Sequence, residues 1–438
     1  MSETALNAMA QQYLELTLNK SRYDGMDVQW YTEGPFWRRT DMRFSREYRI
    51  LPDYEIADAK HGRALTDIED ECAHLLENLK LYRKTARESE LPRVDYLIDH
   101  VHHLHVRTHM LQGEKNSYDQ TTRDLYRLTA PAYDYTRFDK MFAELGNALP
   151  GSGDTVQKIC DFRKAVSIPR DKIFVVLKDT TQLFHDFSMQ RMTITGNSMP
   201  RVRVREYENP NMEFLSILFA YDYNHLEYER NFNLNFHWTV DNVMEYIGHE
   251  MEPGHITYYE KRLQTMIDTC WPEMAVVSQF SSSSAFTEGS ARYAVPMCFD
   301  LSMEKQVDFE REEVMKRAGI DTSLAQYMPL WHEYCEMRGY ARLEAERNVW
   351  DGVWTKDEAM KFLKKYAFAD PTADESFIDM WSMDPGHFTS HDYARDVVKN
   401  YFNHVAPTPD EQWRLYEKLC CSHMDMGAME DLSFRFDF

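Results

Sequence analysis

DNVMEYIGHEMEPGHITYYEKR, residues 241–262, is a helix with a flaw in it. Asp241 suits an N-cap, and Val243, Met244 and Ile247 recur at helical spacing to make one apolar face. That face runs into His249 and Glu250, a histidine followed at once by a glutamate on a buried helix. In zinc peptidases such a histidine binds metal, while the glutamate takes a proton from the water that the metal activates. The usual second histidine stands four residues on, where this chain has Pro253; His255 comes at six. Six residues of ideal helix turn by about 600°, which aims His255 about 120° away from His249. Pro253-Gly254 answers the problem: proline removes a backbone donor and glycine admits unusual dihedrals, so the helix breaks and turns His255 back. Such a break costs on the order of 3 kcal/mol inside a helix and is tolerated chiefly where function needs it. The bland alternative is a helix that ends at Met251, a Pro-Gly turn and two unrelated histidines.

A site of this kind needs a third ligand. After a helical stretch and the run Ser281–Ser284 comes AFTEGSARYAV, residues 285–295, with Glu288 among apolar neighbours. His249, His255 and Glu288 form the His-His-Glu set of a catalytic zinc site, with the fourth position open to water. Taken alone, Glu288 reads as an ordinary solvated helix residue; its pairing with the two histidines makes it a candidate ligand. Two other arrangements compete. Glu252-Pro-Gly-His255 and Asp384-Pro-Gly-His387 have the Glu-x-x-His spacing of dimetal helical bundles, but a proline directly after the acid disrupts the regular helix such bundles use. Nucleophilic serine or cysteine catalysis lacks its sequence context, since G-x-S-x-G is absent.

The chain has 438 residues, 43% of them hydrophobic, enough for a large core. Its 72 acidic and 50 basic residues leave a formal charge of −22, which repels nucleic acid and anionic membrane surfaces. No apolar run reaches the ~18 residues of a membrane span, and the first residues lack a signal-peptide pattern. The seven cysteines are scattered, so free thiols and a cytoplasmic location are expected. The 25 methionines and many aromatics suit a tightly filled helical interior and are compatible with a homodimer.

These patterns predict a mainly α protein, a large multi-helix unit with a small β element near residues 192–223. Residues 1–60 are read as an N-terminal helix (Leu6 to Leu18) and an irregular connector; residues 61–438 as one helical catalytic domain carrying the site on the 241–262 helix. Helical spacing covers 53–88, 92–113, 119–144, 154–165 and 171–190 and returns at Val240. MTITG, RVRVREYENP and FLSILFAYDY read as strands, with a turn at Asn209-Pro210. Within the helix after Pro92, His102, His105 and His109 share a face, in a dense cluster with Asp99, His100 and His103. Incidental surface or packed histidines explain that cluster as simply as a second metal site.

HEMEPGH (249–255) followed by TEGSARYA (287–294) resembles a bacterial family of zinc-peptidase-like proteins, domain of unknown function 885. RTHMLQGEKNSYDQTTRDLYRLTAP (107–131), ALPGSGDTVQKICDFRKAVSIPRDKI (148–173) and MDPGHFTSHDYARDVVKNYF (383–402) resemble further family segments, so the likeness spans roughly residues 60 to 400. The resemblance implies that His249, His255 and Glu288 hold the metal and that Glu250 is the base. There are departures. Ile256 stands where the family usually has a second histidine, Ser290 stands for a tryptophan, and His391 stands at the place of a tyrosine that would polarise the substrate carbonyl. His391, Tyr393 and Arg395 are the candidates for that oxyanion role.

The expected function is metal-dependent hydrolysis of an amide or peptide-like bond in a small molecule or short peptide, with zinc as cofactor. Two rivals stand beside it. One is an iron- or manganese-dependent non-hydrolytic enzyme, because two histidines and a carboxylate also bind iron(II). The other is a catalytically inactive binding protein.

Overall fold

Helical apolar spacing carries through most of the chain and becomes a mainly α fold with small β elements. The computed structural model describes residues 3–25, 27–31, 62–193, 200–206, 214–217, 229–367 and 376–435. Helix α1 (Glu3–Lys20) packs on α2 (Leu65–Arg83) and α3 (Leu91–Leu111). Pro92 sits in the first turn of α3, where its missing N–H has no helical partner to lose, and Gly113 at φ 99° follows its end. The predicted helix from Asp53 begins at Leu65 within the described residues; positions 53–61 lie outside them. Next come α4 (Tyr118–Tyr126), α5 (Tyr135–Ala148), α6 (Thr155–Ala165) and α7 (Ile173–Arg191). Ser117, Asp134 and Asp154 cap α4 to α6, each accepting a backbone N–H three residues on.

The second half holds α8 (Val240–Glu250), α9 (His255–Thr269), α10 (Ser282–Met297), α11 (Met303–Phe309), α12 (Lys316–Ala318), α13 (Met328–Trp350), α14 (Lys356–Tyr366), α15 (Ser376–Met383), α16 (Ala394–Val405), α17 (Pro409–Cys420) and α18 (Met426–Glu430). Helix α10 is central. Nearly every residue in it is buried, and it packs against α8, α9, α16 and α17. A helix apolar or small on all sides has to be enclosed in this way. Leu6, Leu14, Leu75, Leu97, Val243, Phe286 and Val398 belong to one continuous core, so α1 is packed into the same core as the helices that follow. No described helix is long and apolar enough to cross a membrane.

The β structure reaches beyond the predicted segment. Strands β2 (Arg201–Arg205) and β3 (Phe214–Ile217) fall within 192–223, but both pair with β4 (Glu229–Asn233), which lies past it. β2 runs parallel to β4 and β3 antiparallel. The Asn209-Pro210 turn lies outside the described residues. The start of the predicted irregular connector is instead a strand: β1 (Val28–Tyr31) pairs antiparallel with β5 (Val276–Ser278). Four residues paired with a partner about 250 positions away leave no periodic signal to read.

One pair, between α13 and the π-type turn Glu310–Met315 after α11, makes stability depend on pH. His332 Nε2 lies 2.7 Å from Glu310 Oε1, and the Glu310 side chain is fully buried. Burial disfavours the imidazolium, but Glu310 outweighs it and raises His332 to about 9. A folded value above the unfolded one, about 6.5, stabilises most below pH ~6.5, and the benefit fades as pH rises through 9. Wild type should therefore exceed His332→Gln in urea-derived stability by on the order of 3 kcal/mol at pH 6. The gap should close by pH 9.5; a constant gap across that range refutes the charged pair.

Candidate metal centre

The break in the 241–262 helix brings its two histidines together. α8 ends at Glu250, α9 starts at His255, and Met251 to Gly254 form the turn between them. Tyr416 donates its hydroxyl to the Pro253 carbonyl at 2.7 Å, and the Gly254 N–H donates to the Gly248 carbonyl at 3.0 Å. Glu252 is buried and drawn away from the cage, its Oε2 2.5 Å from His185 Nδ1 on α7. Gly254 is obligatory here: a Cβ would lie 1.9 Å from the His249 carbonyl oxygen. The outcome is that the His249 and His255 rings stand 4.5 Å apart between centroids.

Glu288 reaches them from α10. Its Oε2 lies 3.1 Å from His249 Nε2 and 3.3 Å from His255 Nε2. His391 joins from the wide π-type turn Thr389–Tyr393 that leads into α16, with Nε2 3.2 Å from the same oxygen. Helix α10 can approach this segment so closely because of Gly289, where a Cβ would meet the Ala394 carbonyl carbon at 2.5 Å. His249, His255, Glu288 and His391 are all buried.

Do these residues fit a metal? Ligands at about 2.0–2.1 Å from a tetrahedral ion are separated by about 3.3 Å, close to the 3.1–3.3 Å found around Glu288 Oε2. His249, His255 and Glu288 each offer an atom within 4.8 Å of the others. His391 sharpens the test. Its Nδ1 lies 2.7 Å from the His387 carbonyl, which only accepts, so Nδ1 carries the proton. Burial, with His387 beside it, pushes His391 down to about 3, which leaves the ring neutral and an Nε2 lone pair facing the carboxylate. Two lone pairs at 3.2 Å repel unless a cation lies near both. The donor set therefore fits a divalent metal.

Glu250 is beside this cage and is split between two tasks. Its Oε1 lies 3.6 Å from His249 Nε2, while its Oε2 lies 2.6 Å from Arg230 Nη1 on β4. Both side chains are buried. Burial favours the neutral acid, but Arg230, then His249 and His255, reverse that and hold Glu250 below its ordinary value. One oxygen is fixed by the guanidinium and the other remains on the cage side. Sequence reading missed Arg230. It comes from a short strand about 20 residues before the motif, and an arginine on a strand carries no signal of its own.

No family model matches this sequence, and no curated protein does. Among solved structures, the chain is similar to "the putative lipoprotein from Colwellia psychrerythraea", at 11% sequence identity and a TM-score of 0.51. The match covers 86% of this chain and 71% of that one. At so low an identity the likeness is one of fold.

The other predicted residues go elsewhere. Tyr393 donates its hydroxyl to Glu430 at 2.6 Å in an exposed position, so it does not join the cage. Positions 391 and 393 differ by about 200° on a helix, and only one of them can face Glu288. Arg395 binds its neighbour Asp396 at 2.9 Å and lines a separate cavity of about 450 Å³ with Glu245, Arg292 and Glu336. The second Pro-Gly-His, at 385–387, is held by Glu346, which accepts the N–H groups of Gly386, His387 and Phe388. Burial pushes Glu346 up to about 7 despite these donors.

The histidine cluster on α3 divides in two. Asp99, His100 and His103 are buried under the N-terminus of α10. His100 donates from Nδ1 to the Tyr96 carbonyl and receives the Ser283 hydroxyl at Nε2, while Asp99 is met by Arg127, Ser282 and His103. This polar network ties α3 to α10.

Proposed function

We propose that this chain is a metal-dependent hydrolase that cleaves an amide or peptide-like bond in a small molecule or short peptide. His249, His255 and Glu288 hold the metal in this reading, and Glu250 is the general base. One observation carries it: three imidazole Nε2 atoms stand 3.1–3.3 Å from one buried carboxylate oxygen, and that of His391 faces it as a lone pair. Zn²⁺ bound there would polarise the carbonyl and bring the pKa of water towards about 7. Glu250 then accepts the proton of the attacking water at Oε1 and returns it to the leaving nitrogen. Arg230 keeps Glu250 ionised and oriented through Oε2, and its guanidinium takes over the anion-stabilising role first sought in His391, Tyr393 or Arg395. A neutral His391 with Nδ1 committed has no proton to donate, so its place is as a wall or further ligand of the cage. We place the chain with the family of domain 885, whose motifs its segments resemble.

His391 also favours one rival. A third imidazole beside the two-histidine, one-carboxylate set suits iron or manganese and a non-hydrolytic reaction. Metal analysis of purified protein, with assays on short peptides and N-acyl amino acids, separates the two. Hydrolysis should vanish on chelation and return with zinc in the wild type but not in His249→Ala. Iron with oxygen uptake supports the rival, and hydrolysis that survives complete chelation overturns both.

A further inference from the structure

The other half of the α3 histidine cluster forms a second donor set, away from the cage. His105 and His109 are one helical turn apart on α3, and their Nε2 atoms lie 3.2 Å from each other. Glu69 of α2 brings Oε1 to 3.6 Å from His109 Nε2, and one atom from each of the three falls within 4.8 Å of the others. These separations are close to the ~3.3 Å ligand edge of a tetrahedral ion.

The partners of these side chains sort the atoms in the same sense. His109 Nδ1 faces Glu114 Oε2 at 3.1 Å, so its proton is directed there and its Nε2 lone pair is turned to Glu69 and His105. Gln112 Nε2 donates to Glu69 Oε2 at 2.9 Å, which leaves Oε1 on the histidine side. A carboxylate behind a histidine and an amide behind a glutamate are the outer supports that orient metal ligands. Burial and the neighbouring His109 also hold His105 below its ordinary value. The side chains of Glu69 and His109 are each 31% exposed, so an ion can enter from solvent.

We propose that Glu69, His105 and His109 bind a divalent transition-metal ion as a clip between α2 and α3. Such a clip would brace the helix whose His100 and Asp99 support α10, and it does not depend on the hydrolase reading.

The test is zinc titration of chelator-washed full-length protein, with bound metal counted and melting followed. Wild type should take up about two zinc ions per chain, and His105→Ala/His109→Ala about one. His249→Ala/His255→Ala should retain the clip ion. Saturating zinc should raise the Tm of that cage variant by roughly 2–5 °C, and Glu69→Gln added to it should weaken the remaining site about 10–100-fold. Unchanged circular dichroism of the metal-free variants establishes that they fold. Zinc uptake in His105→Ala/His109→Ala equal in amount and affinity to wild type overturns the proposal. So does a cage variant that binds no zinc.

Discussion

Glu250→Gln should lower the rate of amide hydrolysis by about 10²–10⁴-fold while leaving the metal bound. The substitution keeps the shape of the side chain and an oxygen that can accept from Arg230, but removes the carboxylate that takes the proton from water. The cage is made from other residues, so metal content should stay at the wild-type level. Arg230 complicates the comparison: its buried charge loses the Glu250 carboxylate, and breaking a buried pair costs about 3–5 kcal/mol. Rates should therefore be taken well below the melting temperature of the variant, with the folded fraction measured by circular dichroism. A kcat within threefold of wild type, with metal present, eliminates Glu250 as the base. A loss of metal together with activity would instead make Glu250 part of the cage.

The second large effect belongs to one missing methyl group. Gly254→Ala places a Cβ 1.9 Å from the His249 carbonyl oxygen and 2.6 Å from that of Gly248. Both neighbours are backbone and cannot swing aside. The turn must open, and it can open only by moving His255 away from His249. We expect a loss of at least about 3 kcal/mol, a Tm lower by at least about 3 °C, and metal affinity reduced at least about 100-fold. Gly319→Ala is the control. Gly319 ends α12 at φ 74°, and its Cβ would meet nothing within 4 Å, so only backbone strain of about 1–2 kcal/mol should appear, with metal binding intact. Equal effects of the two variants refute a special role for the break.

The helices were legible in the sequence because their signal is local. Val243, Met244 and Ile247 announce α8, and Pro253-Gly254 announces its end. The convergence of His249, His255 and Glu288 could be anticipated from spacing together with the chemistry of the donors. What could not be read came from distance or from an irregular turn. Arg230 arrives on β4, whose pairing with β2 and β3 is set by tertiary context rather than by its own five residues. His391 could be marked as a candidate, but its bond to the His387 carbonyl makes it an acceptor at Nε2 rather than a donor. The clip between α2 and α3 needs Glu69 to be placed opposite His109, and a helical pattern says which face a residue is on without saying what faces it.

The contact at Gly289 has a wider meaning. Where α10 meets Ala394, main chain rests on main chain, with no side chain between them to be exchanged. Glu288 precedes the glycine by one residue, and His391 precedes Ala394 by three. The separation of these two donors is thus inherited from covalent geometry and not from the fit of a replaceable core. Substitutions can accumulate around the two segments, and the layers outside them can drift, without altering the gauge between carboxylate and imidazole.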